Sequence, residues 1–326
     1  MKDKFGREIN YLRISLTDRC NLRCVYCMPM HGLTFVPNEE LLTAAELEQV
    51  VRAAVEVGFK KVRLTGGEPT LRQDVVDIVH RLSRIDGVEQ MVMTTNGYRL
   101  PYIAEDLAAA GLKRVNIHVD SLNKESISKI MRLGTFDKAW AGIEAAEKAG
   151  LTPIKLNAVI TRGYNDSAAV EMARLTLTKP WQIRFIELMP FGGPTEIQLE
   201  HYVSSDEAKS WIEAELGPLF EVNAGQLDGE ARVFRLAGAE GTVGFISPLS
   251  NPYCDDCNRM RLTADGRMRL CLLVDKEIDF RNTLRNGGRQ ADLVALFERA
   301  IQAKPVGHQL KDGQFAENRT MSQIGG

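Results

Sequence analysis

The run LTDRCNLRCVYCMP, Leu16 to Pro29, sets Cys20, Cys24 and Cys27 at the spacing C-x3-C-x2-C directly after a strand-like segment. Six cysteines scattered at random over 326 residues would give this pattern only roughly one time in a thousand. Three thiols this close in one loop suit three irons of a four-iron cluster and leave the fourth iron open. Four-iron clusters normally take four thiolates, and structural zinc sites also close with four ligands, so an incomplete set implies a position kept for a small molecule. The loop therefore reads as chemistry rather than as a staple.

Working outward, YLRISL (Tyr11–Leu16) reads as a first strand. Further strands are predicted at KKVRLT (Lys60–Thr65), QMVMTT (Gln90–Thr95), RVNIHV (Arg114–Val119), IKLNAVI (Ile154–Ile160) and QIRFIEL (Gln182–Leu188), separated by segments of helical period. Between the first two, TAAELEQVVRAAVEVG (Thr43–Gly58) opens with a Thr43/Glu46 capping box, puts Leu47, Val50, Val51 and Ala54 on one stripe, and stops at Gly58. Six βα units predict an α/β fold with a parallel sheet covered by helices. They are too few for the complete eight-unit barrel, so a partial, laterally open (β/α)6 TIM-like barrel is expected over residues 1–190. In such folds the strand C-termini carry the site. The cysteine loop follows strand one, GGEP (Gly66–Pro69) follows strand two, TTNG (residues 94–97) ends strand three, and His118 with Asp120 ends strand four.

From about Phe191 the rhythm breaks into FGGPTE, a helical DEAKSWIEAEL, a turn-rich FEVNAGQLDGEARV, and a region with the other three cysteines. Residues 191–326 are expected to form a smaller C-terminal domain closing the barrel mouth. The chain ends in a polar stretch and Gly325–Gly326. Composition is 44% hydrophobic and 26% charged with a formal net charge of −2, which gives no global attraction to nucleic acid or membrane. The N-terminus lacks an apolar signal core, and no stretch approaches the roughly 18 apolar residues of a membrane span, so a cytoplasmic protein is expected. Two tight cysteine clusters in such a chain read as metal sites in a reducing compartment rather than as disulfides.

Cys254, Cys257 and Cys271 form a C-x2-C-x13-C set, again three ligands and not four. A zinc ribbon needs a fourth donor, and the imidazoles downstream of the barrel, His201 and His308, stand far off in sequence. A second four-iron cluster with an open iron fits better. Between its ligands, Arg259 and Arg261 alternate on an extended segment and point to one side, a candidate anion clamp. Arg13, Arg63, Lys155 and Arg184 each have apolar strand neighbours on both sides, which turns them into the barrel, where an unpaired charge is costly. An inward ring of cations calls for an anionic ligand; strand carboxylates such as Glu187 and Asp120 are the alternative partners.

Beside the first trio, Tyr26 can stack on a planar ring, GGEP lets backbone approach a ligand closely, and Glu68 can accept from an ammonium. Together these features resemble the radical S-adenosylmethionine superfamily, whose members bind a four-iron cluster by C-x3-C-x2-C. With LRISLTDRCN, RLTGGEPTLR, TTNG, RFIELMP, CDDCNRMRL and the terminal IGG, the chain resembles the GTP 3′,8-cyclase family over nearly its whole length. The resemblance implies two [4Fe-4S] clusters, on Cys20, Cys24 and Cys27 and on Cys254, Cys257 and Cys271, with S-adenosylmethionine against Tyr26, Gly67, Glu68, His118 and Met189. It implies GTP binding by Arg13, Arg63, Thr94, Lys155, Arg184, Arg259 and Arg261. Catalytic parts fall to Arg259, Arg261, Gly325 and Gly326. The implied reaction is radical cyclisation of GTP, C3′ to C8, the first step towards the molybdenum cofactor. Where the family has a serine in a stretch like NVSLD, this chain has NIHVD, so His118 brings a larger group that titrates near neutrality. Implied partners are an electron donor such as flavodoxin or ferredoxin, the next pathway enzyme, cyclic pyranopterin monophosphate synthase, and a second copy in a homodimer, with no nucleic acid or membrane. A radical S-adenosylmethionine peptide-modifying enzyme with an auxiliary cluster is the rival reading.

Overall fold

In the computed structural model, residues 1–190, 199–223, 226–308, 310 and 316–325 are described. The FGGPTE segment and Gly326 lie outside them. The six expected strands are present as β1 (Tyr11–Ser15), β2 (Lys61–Thr65), β3 (Gln90–Thr95), β4 (Arg114–His118), β5 (Lys155–Ile160) and β6 (Gln182–Glu187). Helices α1 (Ala44–Glu56), α2 (Val75–Ser83), α3 (Leu100–Ala109), α4 (Lys124–Ile130), α5 (Phe136–Lys148) and α6 (Ala168–Leu175) connect them. The capping box of α1 forms as its sequence predicts: Thr43 Oγ1 accepts from the Glu46 N–H at 3.2 Å, and Glu46 Oε2 accepts from the Thr43 N–H at 2.7 Å. Leu47, Val50, Val51 and Ala54 are buried against the sheet. Each fully buried Val or Leu contributes roughly 1.5–3 kcal/mol.

The later region contributes α7 (Ser205–Leu216), β7 (Leu219–Glu221), β8 (Arg232–Leu236), β9 (Thr242–Ile246), β10 (Arg259–Leu262), β11 (Arg267–Arg269), β12 (Glu277–Asp279), α8 (Arg281–Arg285) and α9 (Gln290–Gln302). Among the described residues its strands build no separate sheet. One sheet runs β12-β11-β10-β1-β2-β3-β4-β5-β6-β9-β8-β7, with β10 parallel to β1 and β9 parallel to β6. The open six-strand barrel is thus extended at both edges rather than only covered at its mouth. Two bare edges would leave rows of unpaired N–H and C=O groups, and the added strands pair them before antiparallel turns end the sheet.

Alternation along the strands sorts the residues. Leu12, Ile14, Val62 and Leu64 pack outward under the helices, while Arg13, Arg63 and Arg261 share one inward-facing register across β1, β2 and β10. Gly66 and Gly67 have a packing reason that sequence alone attributed to a ligand. The GGEP loop lies against the start of the cysteine loop, with the Gly67 N–H donating to Thr17 O at 2.6 Å and the Glu68 N–H to Arg19 O at 2.7 Å. A Cβ on Gly67 would sit 2.3 Å from Arg19 O. Gly67→Ala should therefore destabilise the fold by about 1–3 kcal/mol, the range for an overpacked interior, read as a lower thermal midpoint of the metal-free protein. An unchanged midpoint contradicts this packing.

Candidate active site

The first trio sits at the C-terminal end of β1. Arg23 braces the loop by donating to the carbonyls of Cys20 and Leu22 at 2.7 and 2.8 Å, and the Val25 N–H donates to Ile130 O at 2.9 Å, docking it on α4. The Leu22 N–H points at Cys20 Sγ at 3.3 Å. All six cysteines are free thiols. Burial pushes the Cys20 thiol up to about 11 and the Cys27 thiol up to about 12, and raises Cys24 as well. Such thiols become good ligands when a metal supplies the missing positive charge, so the donor set fits an iron centre.

Tyr26, His118 and Asp120 converge beside it. The Tyr26 hydroxyl donates to Asp120 Oδ2 at 2.6 Å and lies 2.5 Å from His118 Nε2, which is itself 2.9 Å from Asp120 Oδ2. The His118 imidazole is held in a network with the residue before Cys27. Burial lowers and Asp120 raises the His118 pKa, with a net rise. Glu68 is buried and accepts from Thr70 N–H and Oγ1, from Thr95 Oγ1 and from the Asn96 N–H, at 2.5–3.0 Å. It ties the GGEP and TTNG loops together.

The second trio is assembled by the β10–β11 hairpin. Cys254 and Cys257 precede β10, β11 returns antiparallel with Arg269 opposite Arg261, and Cys271 follows at the level of Arg259. This explains the long gap between the second and third ligands. The three thiols line one cavity with Met189, His308 and Lys304. His308 is nearby, but Nε2 is 3.0 Å from Pro248 O and Nδ1 accepts from the Leu310 N–H at 3.4 Å, so both ring nitrogens are engaged within the protein. Burial raises Cys257, yet the Lys304 ammonium and Arg259 guanidinium outweigh it and its pKa is lowered. Met189, which the resemblance places against S-adenosylmethionine, also lines this cavity.

Because β1 and β10 are parallel and in register from Tyr11/Arg259 to Ile14/Leu262, the trios stand at opposite ends of one strand pair, whose length is about 13 Å. Between them lies the cationic interior. Arg63 donates to Thr94 Oγ1 at 3.1 Å and to the Tyr11 hydroxyl, Arg184 Nε donates to Asn157 Oδ1 at 2.9 Å, and the buried Asn116 amide oxygen, in the orientation its neighbours require, accepts from both Arg63 and Arg184. Arg261 Nη1 donates to Gly325 O at 2.8 Å. Gly325 has φ +70°, and a Cβ there would approach Thr65 and Ser15 at 3.1–3.2 Å, so the tail enters only as glycine. A chamber opens beside Arg63, Lys155 and Arg184, and is also lined by Lys61 and Arg114.

Among the described residues, the strand carboxylates that are the alternative partners bond elsewhere. Glu187 accepts from Ser205, Leu249 and Ser250, and Asp120 from Val159 and Tyr26. Asp228 pairs with Lys155, and the buried Glu230 pairs with Arg259 and, at 3.4 Å, with Arg13. Burial opposes ionisation of Glu230, but Arg259, Arg13, Arg63 and Arg184 overcome it and hold its pKa far below the carboxylate range. Two carboxylates do not balance the cations. Burial and repulsion from Arg184 push Lys155 down to about 8 despite Asp228, and burial with Arg63 pushes Arg184 down to about 10. Sequence reading missed Asp228 and Glu230, which stand in a turn-rich stretch without periodicity, and Asn116, a neutral residue. Lys61 and Arg114 were findable, since each is two positions before an inward residue, Arg63 and Asn116.

The chain matches the family models described as "Radical SAM superfamily" over residues 14–176 and "Molybdenum Cofactor Synthesis C" over residues 181–310. It is 48% identical over 326 residues to a curated protein of Pelotomaculum thermopropionicum and to one of Moorella thermoacetica, both named GTP 3′,8-cyclase, with all of each chain covered. The chain belongs to the GTP 3′,8-cyclase family. A third member, from Peptoclostridium acidaminophilum, is 42% identical over 325 residues, covering 99% of this chain and 98% of its own. Among solved structures, Streptococcus suis SuiB bound to S-adenosylmethionine shares the fold, with TM-score 0.62 at 14% identity over 85% of this chain and 64% of that one. Among the described residues no helix is long and apolar enough to cross a membrane.

The lysine in this family member's chamber yields a pH test. Above about pH 8 Lys155 is mostly neutral, and below it mostly charged. A polyphosphate restores the proton, so affinity for inorganic triphosphate should fall by up to about tenfold per pH unit above 8. Lys155→Arg, which keeps its proton, should flatten that profile in calorimetry. Parallel profiles in the two proteins contradict the assignment.

Proposed function

We propose that this chamber binds GTP between two iron–sulfur centres and that the chain is a radical S-adenosylmethionine GTP 3′,8-cyclase. The observation that carries the reading is a pair of three-thiol sites at opposite ends of one cation-lined interior. Cys20, Cys24 and Cys27 would hold the cluster that binds S-adenosylmethionine, with Tyr26, Gly67, Glu68 and His118 forming or bracing that pocket. Cys254, Cys257 and Cys271 would hold the auxiliary cluster, beside Met189. When bound, the first cluster and S-adenosylmethionine would supply the radical chemistry for taking the 3′ hydrogen of GTP, and closure of C3′ onto C8, completed by one further electron and one proton, would give (8S)-3′,8-cyclo-7,8-dihydroguanosine 5′-triphosphate. This is the first step of molybdenum cofactor biosynthesis.

The protein's own residues bind and orient. A triphosphate brings about four negative charges into an interior where Arg13, Arg63, Lys155, Arg184, Arg259 and Arg261 outnumber the acids, and in low dielectric each contact strengthens. Arg259 Nε is buried without an acceptor among the described residues, as expected of a group awaiting an anion. Asp228 and Glu230 are the counter-ions against which the phosphates exchange. Thr94 fixes the Arg63 guanidinium, and Arg261 holds the tail at Gly325, with Gly326 beyond it. Fixing the nucleotide at both ends limits it to a reactive pose and excludes water from a carbon radical. Residues 1–190 would form the radical S-adenosylmethionine partial barrel and residues 191–326 a C-terminal domain carrying the second cluster and the Gly325–Gly326 tail. An electron donor of flavodoxin or ferredoxin type, delivery of product to cyclic pyranopterin monophosphate synthase and a homodimer complete the proposal.

Anaerobic reconstitution should give about eight irons per chain, and about four after replacing either cysteine trio by alanine. A colourless, iron-free protein contradicts the reading. Arg261→Ala should weaken GTP binding about tenfold or more with both clusters assembled, and deletion of Gly325 and Gly326 should abolish cyclised product while sparing iron content. Unchanged affinity in the first, or full activity in the second, removes that residue's role.

A further inference from the structure

Lys304 is among the most deeply buried side chains of the molecule, 1% exposed, although lysine is almost never buried without a partner. It follows the C-terminal cap of α9, whose Phe297 packs between Phe59 and Phe280 with ring centroids 5.3 and 4.9 Å apart. That anchored helix end drives the lysine stem into the β10–β11 hairpin. Its Nζ donates to Arg259 O and Leu270 O, both at 2.9 Å. One carbonyl stands two residues after Cys257 and the other directly before Cys271, so a single ammonium joins two of the three cysteine arms. The remaining direction faces the cavity lined by Cys254, Cys257 and Cys271.

The third arm is held separately. Arg7 donates to Cys254 O at 2.8 Å and to the carbonyls of Pro305 and Val306 at 2.6–2.7 Å, which fastens Cys254 to the segment that carries Lys304. Arg7 is neutralised by Asp3 at 2.6 Å. The other cations of the cavity are also engaged: Arg259 by Glu230, Arg269 by Glu277 and Asp275, and Arg261 by the tail carbonyl. Among the described residues no carboxylate pairs with Lys304. A buried ammonium satisfied by two neutral carbonyls needs an anion, and the three cysteine sulfurs that line its cavity supply one once they hold a metal as thiolates.

We propose that Lys304 is a positioning residue of the auxiliary centre: it presets the Cys257 and Cys271 arms and supplies the counter-charge of a cluster held by three thiolates. This rests on the reading that this trio binds a four-iron cluster. An oxidised cluster on three thiolates carries net negative charge, and a cation against its sulfurs both favours reduction and leaves the open iron a better acceptor for a neutral purine donor.

The test uses the full chain with Cys20, Cys24 and Cys27 replaced by alanine, so that only the auxiliary centre is titrated. Absence of iron in this parent refutes the cluster reading itself, independently of Lys304. With iron present, Lys304→Gln, which keeps a donor and loses the charge, should retain iron and shift the oxidised-to-reduced ratio at fixed potential about tenfold toward the oxidised form, about 59 mV for one electron. GTP affinity should drop by a similar factor, and Lys304→Arg should restore both. A glutamine variant that loses iron while the arginine variant keeps it also supports the charge. Full iron with an unmoved potential in Lys304→Gln, or iron lost equally from both variants, overturns the proposal.

Discussion

The constraint on which the structure depends is the positive charge enclosed by its sheet. Arg13, Arg63 and Arg261 share one register and Arg184 faces them through Asn116, an arrangement that desolvation and mutual repulsion oppose. Two acids from one loop, Asp228 and Glu230, relieve part of it. The rest is built into a rigid, hydrogen-bonded frame, and a frame that holds like charges together is preorganised for a polyanion.

The sheet topology turns that frame into a passage with two ends. Strands from the C-terminal half flank β1 and β6, so that the barrel edge carrying Arg259 and Arg261 is covalently linked to the second cysteine trio. The two trios differ in their surroundings. Burial dominates at Cys20, Cys24 and Cys27, whereas Cys257 feels the Lys304 and Arg259 charges. Within the second trio burial also raises Cys271, and the Lys304 and Arg259 charges overcome it at Cys257.

Much of this was legible before any coordinates. Period-two and period-3.6 patterns located all six barrel strands to within a residue, because each inward position is flanked by apolar outward ones. The same alternation turned Arg13, Arg63, Lys155 and Arg184 inward correctly. What sequence could not supply was pairing between distant segments. Nothing local in RMRL or TVGFI says that one joins β1 and the other β6, so sequence gives a smaller C-terminal domain at the barrel mouth without the strand pairs that tie it to both edges. Glycine was ambiguous for the same reason: Gly67 is forced by the backbone of Arg19, a contact nearly fifty residues away. Asp228, Glu230 and Lys304 escaped notice because their significance lies in what faces them, not in what adjoins them.

In the proposed arrangement one interior brings ribose C3′ to the Cys20–Cys27 end while the base is gripped at the other. Single-turnover reaction of the reconstituted protein with S-adenosylmethionine and GTP deuterated at C3′ tests it most directly. Deuterium in 5′-deoxyadenosine, together with a cyclised nucleotide in equal amount, is the predicted result. Cofactor cleavage without deuterium transfer, or transfer without cyclisation, would contradict it.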